Sequence, residues 1–151
     1  GVDVIQIFDS WANLLSEQQY LEYSLKYIKK LLDKLSKDPI TCKTPTILFA
    51  REPKCNLNEF KLNDLSCYGM YTSICPSNAM NIFEGSHALQ GNLDPKILLD
   101  EDAIIKETVL KLLSKFKNYP GYIFNLGHGI TPDINPDKVK VLVDAIREFG
   151  S

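Results

Sequence analysis

The chain has 151 residues, 44% hydrophobic and 24% charged, with a formal net charge of −2. That suffices for one domain with a real core, and it excludes a global basic field that would recruit nucleic acid or an anionic membrane. No apolar run approaches the roughly 20 residues of a membrane-spanning helix; Cys42, Cys55, Cys67 and Cys75 form neither a Cys-x-x-Cys pair nor a zinc-finger spacing, so they read as reduced thiols.

Val2–Phe8 is apolar and β-branched enough for a buried strand. A start inside a strand leads us to expect an upstream portion, and no signal peptide is visible. Ser16 opens a capping box with Gln19. Leu21, Leu25, Ile28, Leu31, Leu32 and Leu35 follow at helical spacing, with Pro39 beyond the stop. Pro45–Ala50 predicts a second strand, Asn58–Leu62 a brief helix, and Leu65–Thr72 a third strand weakened by Gly69. Pro76–Glu84 reads as a short helix. His87–Gly91 is a weak fourth strand, and Asn92-Leu93-Asp94-Pro95 is a turn. Asp100 or Asp102 caps a helix whose apolar face is Ile105, Val109, Leu112, Leu113 and Phe116. Gly121–Leu126 is a fifth, buried strand. Asn135 then caps a helix with Pro136 at its first position and Gly150 past its end; Val139, Leu142, Val143, Ile146 and Phe149 are its buried stripe.

Strand then helix, five times over, implies parallel strands with right-handed crossovers. Two architectures suit this pattern: a small doubly wound sheet, or five-eighths of a (β/α)8 barrel. In either, chemistry gathers at the carboxyl ends of the strands.

Three segments lie at such ends. Tyr122-Ile123-Phe124-Asn125-Leu126 runs into Gly127-His128-Gly129. The glycines permit a sharp turn and close approach, and between them His128 supplies an imidazole, a side-chain type suited to proton transfer. His128 is either a structural imidazole satisfied by backbone or a proton donor and acceptor. Phe8-Asp9-Ser10-Trp11-Ala12 follows the first strand. Ser10 is a turn or cap serine, or a hydroxyl for a substrate carboxylate; Asp9 is a helix cap or a general base. Gln90-Gly91-Asn92 is a demanding turn, or a set of N–H groups facing an anion. His87, at the opposite strand end, is structural. Lys26, Lys29, Lys30, Lys34 and Lys37 decorate a solvated helix side. Dinucleotide, phosphate-loop, nucleophile-elbow and His-Glu-x-x-His motifs are all missing.

The segments Ile7-Phe8-Asp9-Ser10-Trp11-Ala12, Gln90-Gly91-Asn92-Leu93-Asp94-Pro95 and Phe124-Asn125-Leu126-Gly127-His128-Gly129-Ile130 occur in that order. In them the chain closely resembles the carboxyl-terminal part of uroporphyrinogen decarboxylase, and the resemblance covers essentially the whole chain. It implies an α/β fold of the (β/α)8 TIM-barrel type, with this chain supplying about the last five β/α units as a single domain, residues 1–151. It also implies removal of the four acetate carboxylates of uroporphyrinogen to give coproporphyrinogen in haem biosynthesis, with no metal and no cofactor. A tetrapyrrole substrate, a homodimer, and a cytoplasmic or plastid location follow from the same likeness. Carried over by motif, Ser10 is the serine that hydrogen-bonds substrate and His128 the active-site histidine that binds substrate and serves proton transfer. Asn125, Gly127 and Gly129 shape its loop.

The family's central aspartate, principal arginines and substrate tyrosine lie upstream of the matched segment. The chain's own arginines, Arg51 and Arg147, sit in no matching motif. The isolated chain is therefore expected to be inactive. Asn13 stands where the family often has glycine, Tyr71-Thr72 where Asp-Trp is frequent, and Arg51-Glu52-Pro53 where a glycine turn is usual. Two rival readings remain. One is the related barrel family of corrinoid or thiol methyltransferases, which hold zinc through cysteine and histidine at strand ends; no cysteine accompanies His128 here. The other is a non-catalytic barrel fragment that associates through its open edges.

Overall fold

All five expected strands form, and all run parallel. The structure, a computed structural model, describes residues 1–150. The strands are β1 (Ile5–Asp9), β2 (Thr46–Ala50), β3 (Cys67–Gly69), β4 (Ala88–Gln90) and β5 (Tyr122–Ile123). Between β1 and β2 lie α1 (Glu17–Tyr20), a π turn (Leu21–Leu25) and α2 (Lys26–Lys37), three runs of one continuous helical segment. The others are α3 (Pro76–Phe83), α4 (Asp102–Phe116) and α5 (Pro136–Gly150).

Sheet order follows chain order, β1-β2-β3-β4-β5. That decides between the two architectures. A doubly wound sheet reverses direction at a switch point, whereas a barrel adds each strand on the same side. A second observation agrees. Gln6 of β1 donates through Nε2 to Gln90 Oε1 of β4 at 3.2 Å. In a flat sheet these strands would be three spacings, about 14 Å, apart. The sheet therefore curls, and the fold is α/β of the (β/α)8 type, with five consecutive units present.

Local signals explain where elements start. Ser16 Oγ accepts from Gln19 N at 3.3 Å and Gln19 Oε1 from Ser16 N at 3.0 Å, the reciprocal bonds of a capping box. Asn135 Oδ1 accepts from Asp137 N at 2.9 Å and caps α5. The α4 face is buried as its spacing requires: Ile105, Val109, Leu112, Leu113 and Phe116. Inside the helical layer an aromatic row links the units. Tyr20, Phe60, Tyr68 and Phe83 follow one another with ring centroids 6.0, 4.9 and 5.1 Å apart. Each is fully buried, and Phe60 and Phe83 each contribute on the order of 1.5–3 kcal/mol by leaving water.

Several expectations need correction. β1 begins at Ile5, not Val2, and is not buried: Phe8 is 65% exposed. Among the described residues it pairs with β2 alone, so one edge stays open. β5 is likewise short and Ile123 is 42% exposed. Its pairing breaks and resumes further on, where Leu93 N donates to Asn125 O and Gly127 N to Leu93 O. Glu101, not Asp100 or Asp102, occupies the cap position of α4, and its side chain makes no cap bond. Leu31 faces solvent on α2. Gly150 is the last residue of α5 rather than the one past it; Ala145 is buried in the stripe and Phe149 is exposed. No helix among the described residues is long and apolar enough to cross a membrane.

Candidate functional site

Side-chain alternation fixes which residues face the inside of the curl. Gln6 points inward, so Phe8 and Ser10 follow on the same face of β1. In the β1–β2 register Phe8 is opposite Phe49, and the next inward position beyond Phe49 is Arg51. Phe8 and Phe49 touch with ring centroids 6.1 Å apart. At the far edge of the sheet, the segment after β5 brings Asn125, Leu126 and His128 to the same end.

These positions converge. A cavity of about 350 Å³ at the carboxyl ends of the strands is lined by Ser10, Arg51, Asn125 and His128 among its polar residues. Phe8, Phe49 and Leu126 supply its apolar wall, and Gln6 lies at its inner end. Ser10 and His128, which the motifs single out from opposite ends of the sequence, thus share one cavity. No carboxylate and no cysteine lines it. Among the described residues no group of three His, Cys, Asp or Glu side chains is placed to hold a metal ion.

His128 is exposed, and its Nδ1 makes only a long 3.5 Å contact to its neighbour's carbonyl, Gly129 O. The ring's Nε2 makes no hydrogen bond among the described residues and is open to a ligand. Gly127 is glycine for packing reasons. A Cβ there would lie 2.6 Å from Thr72 N and 2.7 Å from Thr72 Cα and Oγ1. Gly129 differs from expectation: a Cβ would meet nothing within 4 Å, and its φ is not positive. Only the first glycine of the pair is demanded by its surroundings.

Asp9 does not face the cavity. It points to the helical layer, where its carboxylate accepts a hydrogen bond from Ser24 Oγ in the π turn. The general-base reading of Asp9 at this cavity is corrected accordingly. Its backbone carbonyl accepts from Arg51 N at 3.0 Å, so it ties the ends of β1 and β2 together.

The Gln90–Asn92 segment is the demanding turn rather than an anion cradle. Gly91 N donates to Ile123 O at 3.0 Å, within the sheet. Gly91 has φ +119°, and a Cβ would meet Met70 O at 2.7 Å. Its carbonyl accepts from the Tyr122 hydroxyl, whose ring stacks on Phe116 at 3.9 Å. Asn92 is buried, and its Nδ2 reaches Tyr71 O at 3.0 Å, Thr72 O at 3.3 Å and Ile74 O at 2.8 Å. These are bonds to backbone, which explains how Tyr71-Thr72 can stand in for another dipeptide without loss of the loop. His87 is structural, as expected: its Nε2 contacts Leu62 O at 2.8 Å and its Nδ1 contacts Ser86 Oγ at 2.9 Å.

Arg51 is the residue of this site that motif reading missed. Its guanidinium has no ion pair or hydrogen bond among the described residues. The signal that could have found it is positional, since the alternation that points Phe49 inward points Arg51 inward too.

Comparison with known proteins agrees with this geometry. The family model described as uroporphyrinogen decarboxylase (URO-D) matches residues 1–149. A uroporphyrinogen decarboxylase of Chlorobium chlorochromatii is 41% identical over 154 residues, covering 98% of this chain and 42% of that protein. One from Alcanivorax borkumensis is 36% identical over 150 residues, covering 99% of this chain and 42% of its own length. The chain therefore spans about two-fifths of the curated relatives it matches. Among solved structures, a methyltransferase from Methanosarcina mazei superposes with a TM-score of 0.75 at 20% identity, covering all of this chain and 43% of that one. That likeness shows the fold alone.

Proposed function

Since the chain belongs to the uroporphyrinogen decarboxylase family, we propose that it forms part of an enzyme that removes the acetate carboxylates of uroporphyrinogen, giving coproporphyrinogen in haem biosynthesis. One observation carries this reading beyond family membership. Ser10 and His128 line the same cavity at the strands' carboxyl ends, which is where barrel enzymes do their chemistry.

The geometry suits the reaction. Loss of carbon dioxide from a pyrrole acetate leaves an electron pair that needs a sink. Protonation of the pyrrole ring supplies it; after carbon dioxide departs a second proton completes the methyl group, and the ring gives up the first proton to restore the pyrrole. His128 supplies an imidazole that can donate and accept the protons of these steps. The Ser10 hydroxyl can donate to a substrate carboxylate. Phe8, Phe49 and Leu126 give the cavity an apolar wall against which a pyrrole ring can rest. The proposed enzyme uses no cofactor and works as a homodimer.

The test is steady-state decarboxylation by the full-length protein. His128→Gln is expected to lower kcat by about 10²–10⁴-fold, and Ser10→Ala to raise KM. Wild-type kcat in H128Q would overturn the assignment. Light scattering tests the dimer.

A further inference from the structure

We propose that Arg51 binds a propionate of the tetrapyrrole, a carboxylate that survives the reaction, rather than an acetate that is lost. The inference rests on the functional reading above and names a ligand group for a residue that no motif assigns.

Arg51 is half-buried, and it lines the cavity shared by Ser10 and His128. Its backbone is anchored, because Arg51 N donates to Asp9 O at 3.0 Å. Its side chain is not engaged: neither Glu52 beside it nor any other carboxylate among the described residues pairs with it, and no carboxylate lines the cavity. A planar cation with five donors, half-withdrawn from water and without a partner, is a site for an anion that presents two oxygens. The tetrapyrrole carries such groups at its rim, and the apolar pair Phe8–Phe49 beside Arg51 in the cavity wall suits the face of one of its pyrrole rings.

The choice between propionate and acetate follows from differential binding. A reacting acetate is charged in the ground state and leaves as neutral carbon dioxide. A guanidinium clamped on it would hold the ground state more tightly than the transition state and so raise the barrier. The same clamp on a retained propionate binds both states equally and positions the ring. Selection for rate therefore places the strong cation on a carboxylate that stays.

The experiment measures binding of two fluorescent porphyrins to the full-length protein by anisotropy. Uroporphyrin carries both acetates and propionates; coproporphyrin carries propionates only. Arg51→Met removes the charge at similar length. It is expected to weaken both ligands alike, by about ten-fold or more for loss of a charged hydrogen bond, with unchanged Tm. Equal affinity of R51M and wild type for both ligands overturns the inference while leaving the functional reading standing. Loss for uroporphyrin alone also overturns it, by assigning Arg51 to an acetate. A lowered Tm in R51M overturns it by revealing a structural partner. If the wild type forms no coproporphyrinogen from uroporphyrinogen, the functional reading falls and the inference with it.

Discussion

Gly127→Ala is the sharpest probe of how the cavity is built. The added Cβ would sit 2.6 Å from Thr72 N, where ordinary contact begins at 3.4 Å, so the two segments must part by about 0.8 Å. Neither can yield easily. Gly127 N is bonded to Leu93 O at 2.8 Å, and the Thr72 loop is clamped by the Asn92 amide. Overpacking of this kind costs about 1–3 kcal/mol, a fall of roughly 3–9 °C in Tm for a domain of this size. The displacement also reaches His128, one residue on. A misplacement of about 1 Å at a reacting group costs on the order of 100-fold in rate. Calorimetry and kcat/KM on the full-length protein measure both effects. Thr72→Ala should not rescue the variant, because two of the three clashing atoms are backbone. Gly129→Ala, in open space, should stay within about 0.5 kcal/mol of wild type. A G127A protein with wild-type Tm and activity would show that the approach of these backbones does not set the cavity's shape.

Other expectations concern the scaffold. Asn92→Leu removes the amide from the Thr72 and buried Ile74 carbonyls, while Tyr71 O keeps its bond from Ile74 N, and should cost about 1–3 kcal/mol by urea denaturation; a neutral result would show that water replaces the amide. Burial pushes the Cys67 thiol from 9.0 up to about 12. The folded form then holds the proton more tightly, so stability is full below about pH 9 and declines as pH rises toward 12, by at most about 1.4 kcal/mol per pH unit. Cys67→Ala should flatten that alkaline decline in denaturation curves taken at successive pH values. The Cys75 thiol is exposed and held below its usual range, first by the Ser77 hydroxyl and then by the Asn78 and Ser77 N–H groups; timed alkylation with mass mapping should label it before Cys67, and the reverse order would contradict both placements.

Much of this was legible in the sequence because the signals were local. The Ser16–Gln19 box, the Asn135 cap and the α4 face depend on neighbours within a few residues, and each formed as its pattern implies. The meeting of Ser10 with His128 was legible only through motif order, since nothing local brings residues so distant together. What failed depends on tertiary context. The exposure of Phe8 and Ile123 reflects the open flanks of the sheet. The differing needs of Gly127 and Gly129 reflect what lies opposite each, Thr72 or nothing. The π turn at Leu21–Leu25 had no compositional mark, and Arg51 lacked a motif although its register was implicit in β2.

The π turn and Asp9 explain each other. Ser10 lies just past the end of β1, beyond the last bond of the strand ladder, so its position depends on what holds the residue before it. Asp9, immediately before Ser10, is held on both sides. Its carboxylate accepts from Ser24 in the π turn, and its carbonyl accepts from Arg51 N. The extra residue of a π turn rotates side chains that follow it, and such turns recur at functional sites. Here it presents Ser24 to the outward face of β1 at the level where the inward face carries Ser10. One aspartate thereby links three elements: the helical segment behind the sheet, the end of β1, and the end of β2. The two polar groups on this flank of the cavity, Ser10 and Arg51, inherit their positions from that single outward-facing residue. The motif's aspartate faces away from the cavity and, from behind the sheet, ties together the elements that line it.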